Sequence, residues 1–159
     1  MTVELTPMRW WHVSWAAELD RQCFGATAWT PAGFVSELAR PSRRYRVALL
    51  AGEPVGYAGL AVWTDDTGGS PPEADLQTLA VDPPQRGHGI GTLLLEDAIA
   101  ACRDAAVGAI HLEVRTEAPA RRLYEVHGFR PVRQRRNYYA PGEHAVVMVL
   151  PLSAHVATS

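Results

Sequence analysis

Apolar and polar residues alternate along several short segments of the chain, and this pattern predicts β-strands. The alternation is cleanest at Ala109–Arg115, where Ile110, Leu112 and Val114 face one side and Glu113 faces the other. Turn-forming residues separate such segments from one another. The predicted strands are Val3–Met8, Tyr45–Ala51, Val55–Thr64, Ala74–Val81, Ala109–Arg115, Arg130–Tyr138 and Ala145–Leu150, the last two joined through Ala140–Glu143 as an antiparallel hairpin.

Apolar residues at spacings of three and four predict helices between these strands. The predicted helices are Trp11–Cys23, Pro31–Ala39, a long helix that begins near His88, and Pro119–His127. Thr30 is expected to cap the second helix, with Pro31 at its first position, and Gly128 is expected to end the fourth. The segment Asp65–Pro72 is interpreted as a loop. A chain of 159 residues, 47% of them hydrophobic, can bury one core, so residues 1–159 are predicted to form a single domain.

Charge and composition argue against several classes of function. The formal net charge of -2 and the pI near 6.3 disfavour general binding to nucleic acid or to anionic membranes, because both need a dominant basic field. Every basic residue is an arginine. The C-terminal arginines are interpreted as a solvated surface, with anion binding as the alternative; they are Arg121, Arg122, Arg130, Arg133, Arg135 and Arg136.

The spacing of the cysteines and histidines indicates no disulfide and no metal site. Cys23 and Cys102 match no disulfide or metal pattern, and no apolar run approaches the roughly 20 residues that cross a bilayer. A cytoplasmic location is therefore expected. No histidine shows metal-ligand spacing and no G-x-S-x-G elbow is present, so a metalloenzyme or a serine hydrolase is disfavoured.

A glycine-rich turn, Arg86-Gly87-His88-Gly89-Ile90-Gly91, lies between a predicted strand and the long amphipathic helix. Glycines leave backbone N–H groups accessible, and the start of a helix adds partial positive charge, so this turn can bind a phosphate group. It is not a P-loop, because the chain has no lysine, and its alternating glycines do not fit a Rossmann fingerprint. A turn that only reverses the chain is the alternative.

The same turn resembles the Gln/Arg-x-x-Gly-x-Gly/Ala signature of the GCN5-related N-acetyltransferases, the GNAT superfamily. The resemblance extends along nearly the whole chain and is similar in detail to the RimI-type ribosomal-protein-alanine N-acetyltransferases. The segments that carry it are Cys23-Phe24, Ala28–Thr30, Leu76–Pro83, Leu112–Arg115, Leu123–Phe129 and Arg135–Tyr139. It implies an α+β (mixed α/β) GNAT fold, with a central twisted, mostly antiparallel sheet of six to seven strands flanked by about four helices.

The resemblance also implies acetyl-CoA as the acetyl donor and gives roles to individual residues. Cofactor contacts fall on Leu79, Ala80, Val81, Arg86, Gly87, His88, Gly89, Ile90, Gly91 and Thr92. Glu113 corresponds to the general base, acting through a water, and Tyr124 to the acid that serves the departing thiolate. Phe24, Trp29, Tyr138 and Tyr139 correspond to the acceptor-binding residues, and no metal is implied.

Each of these roles has a structural alternative. Glu113 then is an outward polar residue between His111 and Arg115, Tyr124 is a core residue, and one of Tyr138 and Tyr139 simply packs inside. The chain also departs from the RimI-type pattern between Arg115 and Tyr124. That branch has one more residue there, including an asparagine that contacts the cofactor, whereas this chain reads Thr116-Glu117-Ala118-Pro119.

The acceptor implied by the resemblance is a protein N-terminus, and the expected partner is a small-subunit ribosomal protein that begins with alanine. Losing a proton at pH 7 costs an α-amine roughly 1 kcal/mol and a lysine side chain roughly 4.5 kcal/mol, so a modest base suffices for an N-terminus. Two alternatives stay open. One is an acetyltransferase of a small-molecule amine or a lysine side chain, and the other is a non-catalytic acyl-CoA-binding module.

Overall fold

A computed structural model describes residues 2–64 and 68–152 of the chain. Its strands are β1 (Val3–Pro7), β2 (Arg43–Leu50), β3 (Glu53–Trp63), β4 (Glu73–Val81), β5 (Ala109–Arg115), β6 (Arg130–Ala140) and β7 (Glu143–Pro151). They form a seven-stranded sheet in the order β1-β2-β3-β4-β5-β7-β6. β4 and β5 are parallel, whereas the pairs β1–β2, β2–β3, β5–β7 and β6–β7 are antiparallel. The predicted mixed, mostly antiparallel sheet is confirmed.

The helices are α1 (Val13–Phe24), α2 (Pro31–Leu38), α3 (Ile90–Asp104) and α4 (Ala120–Val126). Thr30 caps α2 as predicted, because its Oγ1 accepts a hydrogen bond of 3.1 Å from the Gly33 N–H and Pro31 is the first helical residue. Gly128 follows α4 with a φ of +96°, a conformation typical of the residue that ends a helix. The sequence pattern therefore located all four helices.

Several predicted boundaries need correction; β2, for example, begins at Arg43 rather than Tyr45, and β3 at Glu53 rather than Val55. The first helix begins at Val13 rather than Trp11, because Trp10–His12 forms a 3-10 turn. The long helix begins at Ile90 rather than near His88, since Gly87 and Gly89 have positive φ and cannot continue a right-handed helix. The terminal hairpin is tighter than predicted: Ala140 pairs with Glu143, so the turn is Pro141-Gly142 alone. Of the predicted loop Asp65–Pro72, residues 65–67 lie outside the described residues.

The described residues divide into two compact units. The first contains residues 2–61 and 78–98. Its core is aromatic, since Phe34 and Tyr57 are fully buried and their rings meet edge-to-face with centroids 5.6 Å apart. Gly56 on β3 lets α3 pack closely, because a Cβ at this position would lie 3.2 Å from Leu94 and 3.3 Å from Ile90. The start of α3 is thus held firmly against the strands of this unit.

The second unit contains residues 62–77 and 99–152, apart from residues 65–67. In this unit β7 lies between β5 and β6 and is antiparallel to both. Ile110, Leu112 and Val114 are buried, which confirms the alternation predicted for β5. Within residues 2–64 and 68–152, no helix has the length and apolar character needed to cross a membrane.

Candidate active site

The glycine turn of the first unit is exposed from Arg86 to Gly89 and leads directly into α3. Gly87 has a φ of +84° and Gly89 a φ of +82°, and a Cβ at either position would meet no atom within 4 Å. These glycines are thus required by backbone conformation rather than by crowding. Gly91 differs, because it lies in the first turn of α3 and takes no positive φ. Two of the three glycines therefore shape the turn.

Accessible backbone donors at the start of α3 are the feature that fits a diphosphate group. The first N–H groups of a helix have no partner inside the helix, and here no side chain from Gly87 or Gly89 covers them. The carbonyl of Gly89 accepts the N–H of Leu93 at 3.0 Å, which fixes the first turn. The Ile90 side chain is buried, so Ile90 can serve an anion only through its backbone.

Arg86 braces this turn against the preceding strand. Its Nε donates to the carbonyl of Val81 at 3.1 Å, and its guanidinium also contacts Cys23 Sγ at 3.2 Å. Burial raises the pKa of the Cys23 thiol, although the Arg86 charge acts in the opposite direction. Among the predicted cofactor residues of β4, Ala80 and Val81 are buried. The Val81 carbonyl is therefore already bonded to a side chain of the turn.

Asp20 is a buried carboxylate of α1 that the sequence interpretation did not single out. It has no exposed surface, and it accepts hydrogen bonds from Trp29 N at 2.7 Å, from Thr78 Oγ1 at 3.0 Å and from the Tyr57 hydroxyl. Burial raises its pKa, and the three hydrogen bonds oppose that rise. The sequence does carry a signal, because Asp20 falls at a position of the apolar stripe formed by Val13, Ala16, Ala17 and Phe24.

Phe24 and Trp29, the acceptor residues predicted in the first unit, lie at and just beyond the end of α1. Both are half-buried and pack against the aromatic core. The Trp29 ring lies 6.1 Å from the Phe34 ring, and its Cε3 would be only 3.1 Å from a Cβ at Gly33. The structure thus brings Trp29 into a fixed setting made by Asp20, Gly33 and Phe34.

Charged side chains share one face of the strands in the second unit. Glu113 on β5 pairs with Val147 on β7, which pairs with Arg133 on β6. In the same way, Arg115 on β5 is linked through Ala145 on β7 to Arg135 on β6. Residues two apart on a strand point to the same side, so Glu113 shares this face with arginines of β5 and β6. The Nε of Arg135 lies 3.8 Å from Oε2 of Glu113, whose side chain is 32% exposed.

Tyr138 and Tyr139 flank Glu113 and are held by arginines. The Glu113 carboxylate interacts with the Tyr138 hydroxyl and raises the pKa of that phenol. Burial raises the pKa of Tyr139, with Glu113 contributing in the same direction. The Arg135 guanidinium lies 5.1 Å from the centre of the Tyr138 ring, and that of Arg115 lies 4.2 Å from the centre of the Tyr139 ring. Glu113, Tyr138 and Tyr139 are therefore neighbours, as their predicted roles require.

A distortion of β6 sets the position of these two tyrosines. The pairing of β6 with β7 is interrupted between Arg135 and Ala140, and Asn137 takes a φ of +53°. The Asn137 Oδ1 accepts the Gly142 N–H at 2.7 Å, and the Asn137 N–H donates to His144 Nδ1 at 2.9 Å. An asparagine tolerates this left-handed conformation better than most residues. Asn137 lies in the segment Arg135–Tyr139 that carries the family resemblance, and the sequence pattern did not indicate this role.

Tyr124 is a buried residue of α4 in the second unit. Its ring meets Phe129 edge-to-face with centroids 5.7 Å apart. Burial raises its pKa well above the ordinary value for tyrosine, and Tyr139 adds to the effect. The phenol therefore keeps its proton at neutral pH and can donate a hydrogen bond. Both the packing alternative and the proton-donating role remain compatible with this setting.

The segment that departs from the RimI-type pattern is bound mainly through its backbone. The Thr116 N–H donates to the His144 carbonyl at 3.1 Å, and the Thr116 carbonyl accepts from Arg121 at 3.2 Å. The Thr116 Oγ1 is buried and forms no hydrogen bond within the described part of the chain. The segment in which the resemblance implies an additional asparagine thus contains a buried hydroxyl with no hydrogen-bond partner among the described residues.

Comparison with known proteins shows which family the chain belongs to. A sequence model of the Acetyltransferase (GNAT) family matches residues 7–129. The N-alpha-acetyltransferase RimI of Mycobacterium tuberculosis is 42% identical over 126 residues, which cover 77% of this chain and 75% of that protein. An N-alpha-acetyltransferase of Sulfolobus acidocaldarius is 36% identical over 126 residues, 75% of each protein. The chain therefore belongs to the GNAT family of acetyltransferases.

A solved structure extends this similarity over the fold. The crystal structure of the ribosomal-protein-S18-alanine N-acetyltransferase from Escherichia coli superposes with a TM-score of 0.80 at 29% identity, over 94% of each chain. The protein is thus an acyltransferase with the GNAT fold, and acetyl-CoA, the donor of this family, is its acetyl donor. The family and the fold predicted from the sequence are confirmed.

Proposed function

We propose that this enzyme acetylates the α-amine of protein N-termini, with the N-terminal alanine of a small-subunit ribosomal protein as its acceptor. The observation that carries the proposal is the surrounding of Glu113, whose carboxylate lies beside Tyr138 and Tyr139 and opposite Arg135. Carboxylate and aromatic groups together suit an acceptor that brings both an amine and a peptide backbone. Similarity to enzymes named as N-alpha and ribosomal-alanine acetyltransferases supports the same acceptor.

In the proposed reaction Glu113 removes the proton that the amine must lose. The side chain is partly exposed, so a water can stand between the carboxylate and the amine. Deprotonating an α-amine costs roughly 1 kcal/mol at neutral pH, which an ordinary carboxylate can manage, while a lysine requires roughly 4.5 kcal/mol. The smaller cost for an α-amine therefore favours an N-terminus over a lysine side chain as the acceptor.

Tyr124 is proposed to assist the departing sulfur as a hydrogen-bond donor. Its raised pKa makes complete transfer of the phenolic proton to a thiolate unfavourable, since the corresponding thiol has a pKa of about 8.5. A donated hydrogen bond stabilises the developing negative charge without that transfer. This role makes use of a buried phenol that stays protonated throughout the working pH range.

Acetyl-CoA supplies a thioester whose acetyl carbon the neutral amine attacks. We propose that Gly87, Gly89, Ile90, Gly91 and Thr92 bind its diphosphate through their backbone N–H groups. Arg86 and His88 complete the turn, with Arg86 acting largely as a brace because its guanidinium is bonded to Val81. Leu79, Ala80 and Val81 are proposed to line the slot that receives the pantetheine arm of acetyl-CoA. The Thr116 hydroxyl is a candidate to make the cofactor contact of the missing asparagine.

Thiol release from acetyl-CoA tests the function directly. The purified chain is mixed with acetyl-CoA and peptides that begin with alanine, with a blocked N-terminus as the negative control. We expect Glu113→Gln to lower kcat about 100-fold or more, and Tyr124→Phe to lower it about 10-fold. Glu125→Gln is the matched control, because it removes an exposed carboxylate from α4 and should leave turnover unchanged.

The alternatives give different outcomes in the same assay. Release with polyamines or lysine-bearing peptides but not with free N-termini would select the second acceptor class. Binding of acetyl-CoA without release by any amine would select the non-catalytic module. If both Glu113→Gln and Tyr124→Phe retained full turnover, the assigned roles would be wrong. A single domain over residues 1–159, a cytoplasmic location, and the lack of direct nucleic-acid or membrane binding remain predictions.

A further inference from the structure

Asp20 is the one fully buried carboxylate among the described residues, and the proposed chemistry makes no use of it. A buried charge is expensive unless donors surround it, and here three donors do so. Tyr57 on β3 and Thr78 on β4 donate through hydroxyls. The third donor is different in kind, because the Trp29 N–H belongs to the connection between α1 and α2.

The position of the Trp29 ring also depends on Gly33, because the ring occupies space that a side chain at Gly33 would need. Gly33 lies in the first turn of α2, where its N–H is bonded to the Thr30 cap. Its φ is not in the left-handed region, so the backbone does not require glycine there. A Cβ would, however, lie 3.1 Å from Trp29 Cε3, closer than the 3.5–4.0 Å typical of carbon contacts. A glycine in a helix is unfavourable, which calls for a compensating reason.

We propose that Asp20 and Gly33 are positioning residues that fix Trp29, a proposed acceptor-binding residue, and thereby set the affinity for the acceptor. Asp20 fixes the Trp29 backbone, and Gly33 leaves room for its indole ring. The proposal rests on the acceptor role of Trp29 in the proposed function. Neither Asp20 nor Gly33 needs to touch a substrate to have this effect.

The geometry separates this role from general support of the core. The hydroxyls of Tyr57 and Thr78 both donate to one oxygen of Asp20, Oδ1. The second oxygen, Oδ2, is the one that accepts from Trp29. Oδ1 of Asp20 thus bonds side chains of the sheet, and Oδ2 bonds the backbone of the connection that contains Trp29.

Gly33→Ala is the sharpest test, because alanine favours the helix while it displaces the indole by a few tenths of an ångström. We expect the variant to unfold at a temperature no lower than that of the wild type. Its KM for an alanine-initiated peptide should rise roughly five-fold, because a displaced indole fits the acceptor less well, while its KM for acetyl-CoA stays unchanged. Ser36→Ala, an exposed change on the same helix, is the matched control and should alter neither constant.

A double-mutant cycle shows whether the effect passes through Trp29. In the Trp29→Ala background, Gly33→Ala should change the acceptor KM by less than two-fold, since no indole is left to displace. Asp20→Asn should keep the acceptor KM within about two-fold, because its amide oxygen can accept from Trp29 while its NH₂ donates to a hydroxyl. Asp20→Ala removes both oxygens and should raise the acceptor KM. If Asp20→Ala does not fold, the Gly33→Ala variant alone tests whether the position of Trp29 sets the acceptor KM.

The outcomes separate this proposal from the proposed function. A wild-type enzyme that acetylates no peptide N-terminus overturns the proposed function and this inference with it. An active wild type whose acceptor KM is unchanged by Gly33→Ala overturns the inference alone. So does an effect of Gly33→Ala that persists at full size in the Trp29→Ala background.

Discussion

The hydroxyl of Tyr138 on β6 interacts with the carboxylate of Glu113 on β5, across the intervening strand β7. The interaction raises the pKa of the phenol, so Tyr138 stays protonated and donates to the carboxylate. Arg135 approaches the same carboxylate at 3.8 Å. Two groups of β6 therefore orient the proposed base, although neither precedes or follows it closely in the sequence.

Tyr138→Phe should impair the proposed base while leaving the fold intact. The variant removes one hydrogen bond to a charged group and keeps the ring stacked near Arg135, so we expect kcat/KM for an alanine-initiated peptide to fall roughly ten-fold. Tyr139→Phe is the matched control, because the Tyr139 ring itself contacts the Arg115 guanidinium. Removal of the Tyr139 hydroxyl should therefore lower kcat/KM by less. Equal losses in the two variants would argue against a specific role for the Tyr138 hydroxyl.

Asn137 should matter for stability through two separable contributions. Asn137→Ala loses the Oδ1 acceptor of Gly142 and strains a residue at φ +53°, and it should lower the free energy of unfolding by about 1–2 kcal/mol. Asn137→Gly relieves the strain and should lower it by less than about 1 kcal/mol. Urea unfolding of both variants measures the difference. A glycine variant as unstable as the alanine variant would mean that backbone strain is unimportant here.

Gly89→Ala should weaken donor binding through the backbone alone. No atom lies near its Cβ position, but a residue with a side chain at φ +82° costs about 1–2 kcal/mol or must change conformation. We expect the Kd for acetyl-CoA to rise about ten-fold by calorimetry. Gly142→Ala introduces comparable strain at φ +79° in the terminal hairpin, so it should lower stability but leave this Kd unchanged.

His12 should make the fold sensitive to mild acid. Its Nδ1 accepts the Arg9 N–H at 2.9 Å, and burial together with the Arg9 charge lowers its pKa. The unfolded chain therefore binds a proton more readily than the folded one, so this contribution to stability is present above pH 6.5 and is lost as the pH falls through the lowered pKa. Urea unfolding between pH 7.5 and pH 5 should show a smaller loss for His12→Gln than for the wild type. Equal losses would mean that His12 titrates normally.

The sequence alone determined the local elements and the family. The alternation in Ala109–Arg115, the Thr30 cap and the positions of Gly87 and Gly89 were readable because strands, caps and glycine turns depend on residues a few positions apart. Gly91 was interpreted together with the other two glycines, although the structure shows it inside a helix. Sequence pattern does not distinguish a glycine that bends the backbone from one that the helix merely tolerates.

The tertiary structure decided which polar groups meet. Asp20 is satisfied by donors 9, 37 and 58 positions away, and Glu113 by residues of a strand more than twenty positions later. Such partners come together only when strands and helices pack, because the cost of burying a charge is met by whichever donors the fold brings near. The sequence thus determined the strands, the helices and the glycine turn of this acetyltransferase. The fold determined the neighbours of Asp20 and Glu113, since those contacts depend on distance in space and not on distance along the chain.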